Sequence, residues 1–323
     1  MKSDTGPNST TKPEISERRL LDELEAIGVR KGDHIGLGIS FKSLGQVIGG
    51  PETFINALLQ AVGPEGSIMV NTYTEHFGIS RIKTGRVDYV FDYRSTSCNT
   101  GLIPETVRKR CNALRSKHPV TSVAAIGQLA SYLTDGHGPS SPGFRPYSRL
   151  AKKNGKILSI GIGDRLVGFR HEAQYQAGLL GIVPWKLGVN YRDDDGKIKL
   201  FVNENPAGCV KTLHELVGSL KKAGVFSEGK IGLAPSLLAP AREALAMMTD
   251  MLRIRPSLNL CDDVSCLWCR EIERRLDLFR QIEHPQYFQK YRIFVAMIAF
   301  VNWFRLGDNW IITRIRKTTS LFP

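Results

Sequence analysis

The stretch GDRLVGFRHEAQYQAGL, residues 163–179, places one histidine behind the apolar run GKILSIGIG of residues 155–163. An imidazole has an ordinary pKa of about 6.5, so His171 can take a proton at neutral pH. Asp164, Glu172 and Gln174 stand close enough in sequence to orient its ring. Gly161 and Gly163 would let a ligand approach the backbone, and the start of the following helix would offer unpaired N–H groups to negative charge. A lone histidine at a helix start is structural more often than catalytic, so spacing alone leaves both roles open. His118, before Pro119, reads as a hydrogen-bonding structural residue, and His137 sits between glycines in a loop. His34, His76, His214 and His284 read as surface residues.

Two other groups of residues bear on chemistry. GISFKSLGQVIGG, residues 38–50, is a Gly- and Ser-rich turn that can present N–H groups and hydroxyls to a phosphate or an amide chain. It carries neither a glycine–lysine–serine/threonine run nor a dinucleotide fingerprint. Cys261, Cys266 and Cys269 lie close together, but structural zinc wants four well-placed ligands, and no fourth stands near in sequence. His284 is the nearest histidine. The three read as thiols at a helix start, and no metal is expected.

These groups need elements to hold them. Residues 16–27 read as an amphipathic helix, with Leu20, Leu21, Leu24 and Ile27 recurring at three and four. KGDHIGLGIS is a strand, and SIMVNTY is another. Between them lies a helix that Pro51 opens and Gly63 ends. Strand–helix–strand order implies a parallel pair. Residues 75–98 read as a long loop, 103–114 as a helix, and 122–127 and 155–163 as strands. Helices are expected from near His171, over 208–224 and over 235–252.

The chain of 323 residues has a net charge of +13, which suits an anionic ligand and disfavours a strongly cationic one. Residues 1–14 read as a disordered leader without the apolar core of a signal peptide. The six cysteines are scattered, and a cytoplasmic location with reduced thiols is expected. Residues 261–323 read as a basic helical extension to an α/β domain of residues 15–260. Within it IFVAMIAFVNWF is too short to span a bilayer, which takes about 20 apolar residues. It would pack on the domain, across a dimer, or on a membrane surface. No nucleic-acid-binding module is visible.

Three blocks in register carry a resemblance. VRKGDHIGLGISFKSLGQVIGGPETFINALLQAVGPEGSIMVNTYT, GLIPETVRKRCNALRSKHPVTSVAAIG and GFRPYSRLAKKNGKILSIGIGDRLVGFRHEA together resemble the aminoglycoside 3-N-acetyltransferase family. The resemblance covers roughly residues 15–255. It implies an α/β fold with a central mixed, largely parallel sheet flanked by helices, and acetyl-coenzyme A as donor. It places His171 on the catalytic histidine, with Asp164, Glu172 and Gln174 as orienting candidates. Gln174 stands where the family commonly has a glutamate. Ser40, Phe41, Lys42, Ser43, Leu44, Gly45 and Ser122 would meet the coenzyme. Tyr73, His118, Arg145 and Tyr147 would meet the acceptor. Gly38 stands where a histidine is common, Ile39 replaces a serine, and Thr121 replaces a second histidine. These departures and the positive charge point to an anionic, nucleotide-linked amino sugar, with Arg81, Lys83, Arg86, Arg94 and Arg145 near its phosphates. An aminoglycoside acceptor and a non-catalytic binding role are the alternatives.

Overall fold

A computed structural model describes residues 13–163, 166–180, 186–204, 209, 214–261, 263 and 265–279. Helix α1 (Glu17–Ile27) forms as its periodicity predicts. Ser16 accepts from the Arg19 N–H at its start, Gly28 closes it with φ 111°, and Leu20, Leu21, Leu24 and Ile27 are buried. Each such side chain contributes about 1.5–3 kcal/mol of transfer free energy. Helix α2 (Gly50–Val62) buries Phe54, Ile55, Leu58 and Val62 and carries proline in its first turn. The remaining long helices are α3 (Leu102–Lys109), α4 (Arg145–Lys152), α5 (Val167–Gln176), α6 (His214–Lys222), α7 (Ala241–Ile254) and α8 (Leu267–Phe279).

The central sheet has seven strands: β1 (His34–Ile39), β2 (Ser67–Asn71), β3 (Leu114–Arg115), β4 (Val123–Gly127), β5 (Lys156–Ile160), β6 (Ser227–Ile231) and β7 (Ala234–Pro240). Their order is β6-β7-β5-β1-β2-β4-β3. Within this sheet, among the described residues, only β1–β2 and β1–β5 pair parallel. β7–β5, β6–β7, β2–β4 and β3–β4 are antiparallel. The parallel arrangement inferred from strand–helix–strand order therefore holds at the centre and gives way on both flanks.

Side chains alternate between two cores, one on each face of the sheet. Ile35, Leu37, Ile68, Val70, Leu158 and Ile160 pack toward α1, α2 and α3. Met69, Val123, Ala125 and Ile157 pack toward α4, α5, α6 and α7. Gly36 faces the second core, where a Cβ would stand 2.8 Å from Leu150 and 3.0 Å from Phe169. The missing side chain lets α4 and α5 press against β1.

Several expectations are corrected. Residues 235–240 are strand β7, and the helix expected from 235 begins at Ala241. A second, smaller sheet pairs Leu187–Arg192 with Ile198–Asn203 antiparallel, and Phe77–Gly78 and Val90–Phe91 join it from within the expected loop. Glu14 and Ile15 pair with Gln46 and Val47, so residue 14, expected in the leader, lies in a strand. Among the described residues no helix is long and apolar enough to cross a membrane. The apolar run of the tail and His284 lie outside the described residues.

Candidate active site

His171 lies in the middle of α5 rather than at its start, so the helix N-terminus does not face it. Its Nδ1 stands 2.7 Å from Gln174 Oε1, one turn on. Arg170 donates from Nε to His171 Nε2 at 3.1 Å. An arginine can only donate, so Nε2 carries the lone pair and Nδ1 carries the hydrogen given to Gln174. Gln174 in turn donates from Nε2 to Asn259 Oδ1. The ring also packs on Phe144, with centroids 4.9 Å apart. His171 is buried, and removal from water, with the Arg170 cation beside it, lowers its pKa to about 3 against a smaller upward pull from Gln174. The imidazole is neutral at pH 7, with Nδ1 held by Gln174 and the Nε2 lone pair accepting from Arg170.

Tyr73 and Tyr147 belong to the same cluster. Their hydroxyls are 3.0 Å apart, and Tyr147 packs edge-on against Phe169 of α5. A Cβ at position 168 would fall 2.1 Å from the Tyr147 ring, so Gly168 is what admits that ring against the helix. Both phenols resist ionisation because they are buried.

The other expected orienting groups fall elsewhere. Glu172 is buried and accepts from Ser148 and from Gln176 at 2.8 Å, contacts that do not involve His171. Burial raises its pKa. Asp164 lies outside the described residues. Arg145 is exposed at the start of α4. His118, expected to meet the acceptor, is buried, accepts from the Thr121 N–H at 3.0 Å, and stacks on His137 at 5.0 Å. It braces the turn around Pro119. Arg81, Lys83 and Arg86 are exposed, and Arg94 lies over the Tyr93 ring at 4.4 Å.

The turn after β1 borders a cleft of about 590 Å³, lined by Ile39, Ser40, Phe41, Lys42, Gly45, Gln46, Gly101 and Leu102. Leu44 does not join them, because its side chain is wholly buried in the first core. Ser43 donates to the Ser40 carbonyl at 2.6 Å and fills the space that a Cβ at Gly161 would need. The missing side chain at Gly161 thus makes room for Ser43. Ser122 is also withdrawn: it donates to the Thr72 carbonyl at 2.7 Å and accepts from Arg115 Nε at 3.2 Å.

Arg115, Arg170 and Asn259 escaped the reading of the sequence. Arg115 bonds Thr72, Ser122 and the carbonyls of Tyr93 and Thr96, and burial lowers its pKa to about 10. Arg170 adjoins His171 in sequence, which was the available signal. Asn259 is 85 residues from Gln174 and left none.

A mixed α/β sheet with an imidazole braced on a buried helix suits an acyl-transfer enzyme, and comparison with known proteins places the chain among the N-acyltransferases. The model of the family described as aminoglycoside 3-N-acetyltransferase matches residues 38–253, more than half of the chain, and the protein belongs to that family. Aminoglycoside N(3)-acetyltransferase VII of Streptomyces paromomycinus is 29% identical over 265 residues, covering 72% of this chain and 89% of that protein. Aminoglycoside N(3)-acetyltransferase III of a Salmonella species is 29% identical over 71% of this chain and 88% of its own length. The crystal structure of aminoglycoside acetyltransferase AAC(3)-Xa superposes with a TM-score of 0.62 at 26% identity, over 74% of this chain and 93% of that one. A binary complex of AAC-IIIb with CoASH shares the fold at a TM-score of 0.64 and 23% identity, over 75% of this chain and 98% of that one.

Proposed function

We propose that the protein transfers the acetyl group of acetyl-coenzyme A to an amine of an anionic amino sugar, with His171 as general base. The amine nitrogen attacks the thioester carbonyl, the C–N bond forms, and the C–S bond breaks. The amine proton passes to His171 Nε2 and then to the departing coenzyme A thiolate. The observation that carries this reading is the held imidazole: Gln174 fixes Nδ1, and Nε2 of the neutral ring carries a lone pair that accepts from Arg170 Nε, a donor the amine must displace before its proton can pass to the ring. A neutral ring whose lone pair is aimed by a fixed hydrogen bond is what proton removal from an amine requires.

The cleft beside Ser40, Phe41, Lys42 and Gly45 supports the donor's place. Lys42 is exposed there and suits the phosphates of coenzyme A. The relative solved with CoASH supports the same donor. Acceptor chemistry is argued from charge. Arg170 occupies the lone-pair side of His171, and the protein carries +13. A polycationic acceptor would meet repulsion at both levels, whereas a sugar bearing phosphates would be attracted.

The test is calorimetric titration of acetyl-coenzyme A, with desulfo-coenzyme A alongside, followed by a thiol-release assay on nucleotide-linked amino sugars and on kanamycin-type amines. Micromolar donor binding, turnover of the nucleotide sugars and its loss in His171→Ala are expected. Efficient acetylation of the kanamycin-type amines and none of the nucleotide sugars would overturn the anionic acceptor. Absence of donor binding at millimolar concentration would overturn the transferase reading.

A further inference from the structure

The three C-terminal cysteines are not alone. The fold brings Cys209, which follows the second sheet's hairpin, beside Cys261, Cys266 and Cys269, and the four sulfur atoms all lie within 4.8 Å of one another. We propose that these four cysteines bind one zinc ion in a closed, tetrahedral, all-thiolate site. Zinc–sulfur bonds of about 2.3 Å place the sulfurs of a tetrahedron about 3.8 Å apart, close to the spacing in place before any ion is added. None of the six cysteines forms a disulfide.

The surroundings hold one N–H donor to sulfur and one cation that would support thiolates, beside two carbonyls, of Asp263 and Asn259, that accept from the Cys261 and Cys269 thiols. Cys261 donates its backbone N–H to Cys269 Sγ at 3.2 Å, a bond that strengthens when the sulfur is charged. Arg270 donates from Nη2 to the Cys261 carbonyl at 2.9 Å, which puts a cation beside the cluster. Its Nε is buried with no hydrogen-bond partner among the described residues. Four thiolates around a divalent ion carry a net charge of about −2, and such a donor and cation offset it. On binding, each thiol releases its proton to solvent and its sulfur takes one coordination position, with no change of oxidation state. With all four positions filled by protein, no place remains for water or substrate, so the ion is structural.

Two elements meet the segment of Cys209 at this point. Cys261 follows the turn Pro256–Asn259, Cys266 immediately precedes α8, and Cys269 lies in its first turn. Asn259 is part of the same junction, since its carbonyl lies 4.0 Å from Cys269 Sγ while its side chain receives Gln174. The ion would pin the segment that supports Gln174.

The experiment is elemental analysis of the full-length protein purified without chelator, joined to thiol titration and cobalt substitution. About one zinc per chain is expected, with the visible spectrum of a tetrahedral cobalt thiolate after exchange. Cys98 and Cys111 should react with a thiol reagent in the native protein, and the other four only after the metal is stripped. Cys266→Ala should reduce the zinc at least about tenfold, while Cys111→Ala, at an exposed position outside the cluster, should retain it. Less than about a tenth of a zinc per chain after zinc supplementation, with no cobalt spectrum, would overturn the proposal. So would iron in place of zinc, or disulfides among these four cysteines by mass spectrometry. All of these readings are independent of enzymatic activity.

Discussion

Replacing Gln174 by glutamate should strengthen the base. Gln174 Oε1 is 2.7 Å from His171 Nδ1, so a carboxylate there would sit about 4 Å from the centre of an imidazolium charge. At an effective dielectric of about 20 that pair is worth about 4 kcal/mol, or about 3 pKa units. The His171 pKa would rise from about 3 to about 6. The neighbour can accommodate the change. Asn259 Nδ2 is buried without a partner among the described residues, and rotating its amide turns that donor toward the new carboxylate. If about half of the proton has moved in the transition state, kcat near pH 7.5 should rise on the order of 30-fold. The pH profile of kcat/KM should gain an acid limb near pH 6 that the wild type lacks. NMR titration of the His171 ring would report the pKa directly. An unchanged profile, or activity as low as that of His171→Ala, would refute the reasoning.

Other outcomes follow from the same geometry. His171→Ala should lower kcat by about 10²–10⁴-fold and leave the Kd for acetyl-coenzyme A unchanged by calorimetry. Arg170→Ala removes a cation from His171 Nε2, so the ring's pKa should rise and cationic acceptors should be tolerated better, read as the ratio of kcat/KM for kanamycin-type and nucleotide-linked amines. Gly36→Val should destabilise the fold by about 1–3 kcal/mol in denaturant titrations, because its side chain would meet Leu150 and Phe169. His118 and His171 are neutral in the fold, with pKa values lowered to about 3, against about 6.5 in the unfolded chain. The unfolded chain therefore binds more protons between these values, so their contribution is full above pH 6.5. It should fall by up to about 1.4 kcal/mol per pH unit for each histidine as the solution is acidified toward pH 3, and urea midpoints across that range would show it.

Much of the frame was legible in the sequence because its signals are local. Helix α1 announced itself by leucine spacing, α2 by Pro51 and Gly63, and β5 by an apolar run closed with glycines. Strand β7 was taken into the following helix because APSLLAP joins a helical pattern without a break, and its state is set by pairing with β5 far away. The hairpin of the second sheet carried a readable turn in Asp195-Gly196, with Gly196 at φ 81°, but charged neighbours masked its alternation. At the site, the His171–Gln174 contact follows from helical spacing. The withdrawal of Leu44 and Ser122 does not, because a turn sequence does not say which of its side chains face inward. Asn259 and Cys209 arrive by tertiary folding, and nothing near them in sequence marks their partners.

The dependence of Gln174 on Asn259 also constrains how this protein can diversify. The family match ends at residue 253, yet the amide that steadies the histidine's partner comes from residue 259. A recombinant that kept the matched region and borrowed another relative's C-terminal segment would inherit the imidazole without the residue that steadies Gln174. Under the proposed mechanism, inheritance of the base would require that residue 259, beyond the span of the family-model match, travel with it as one unit.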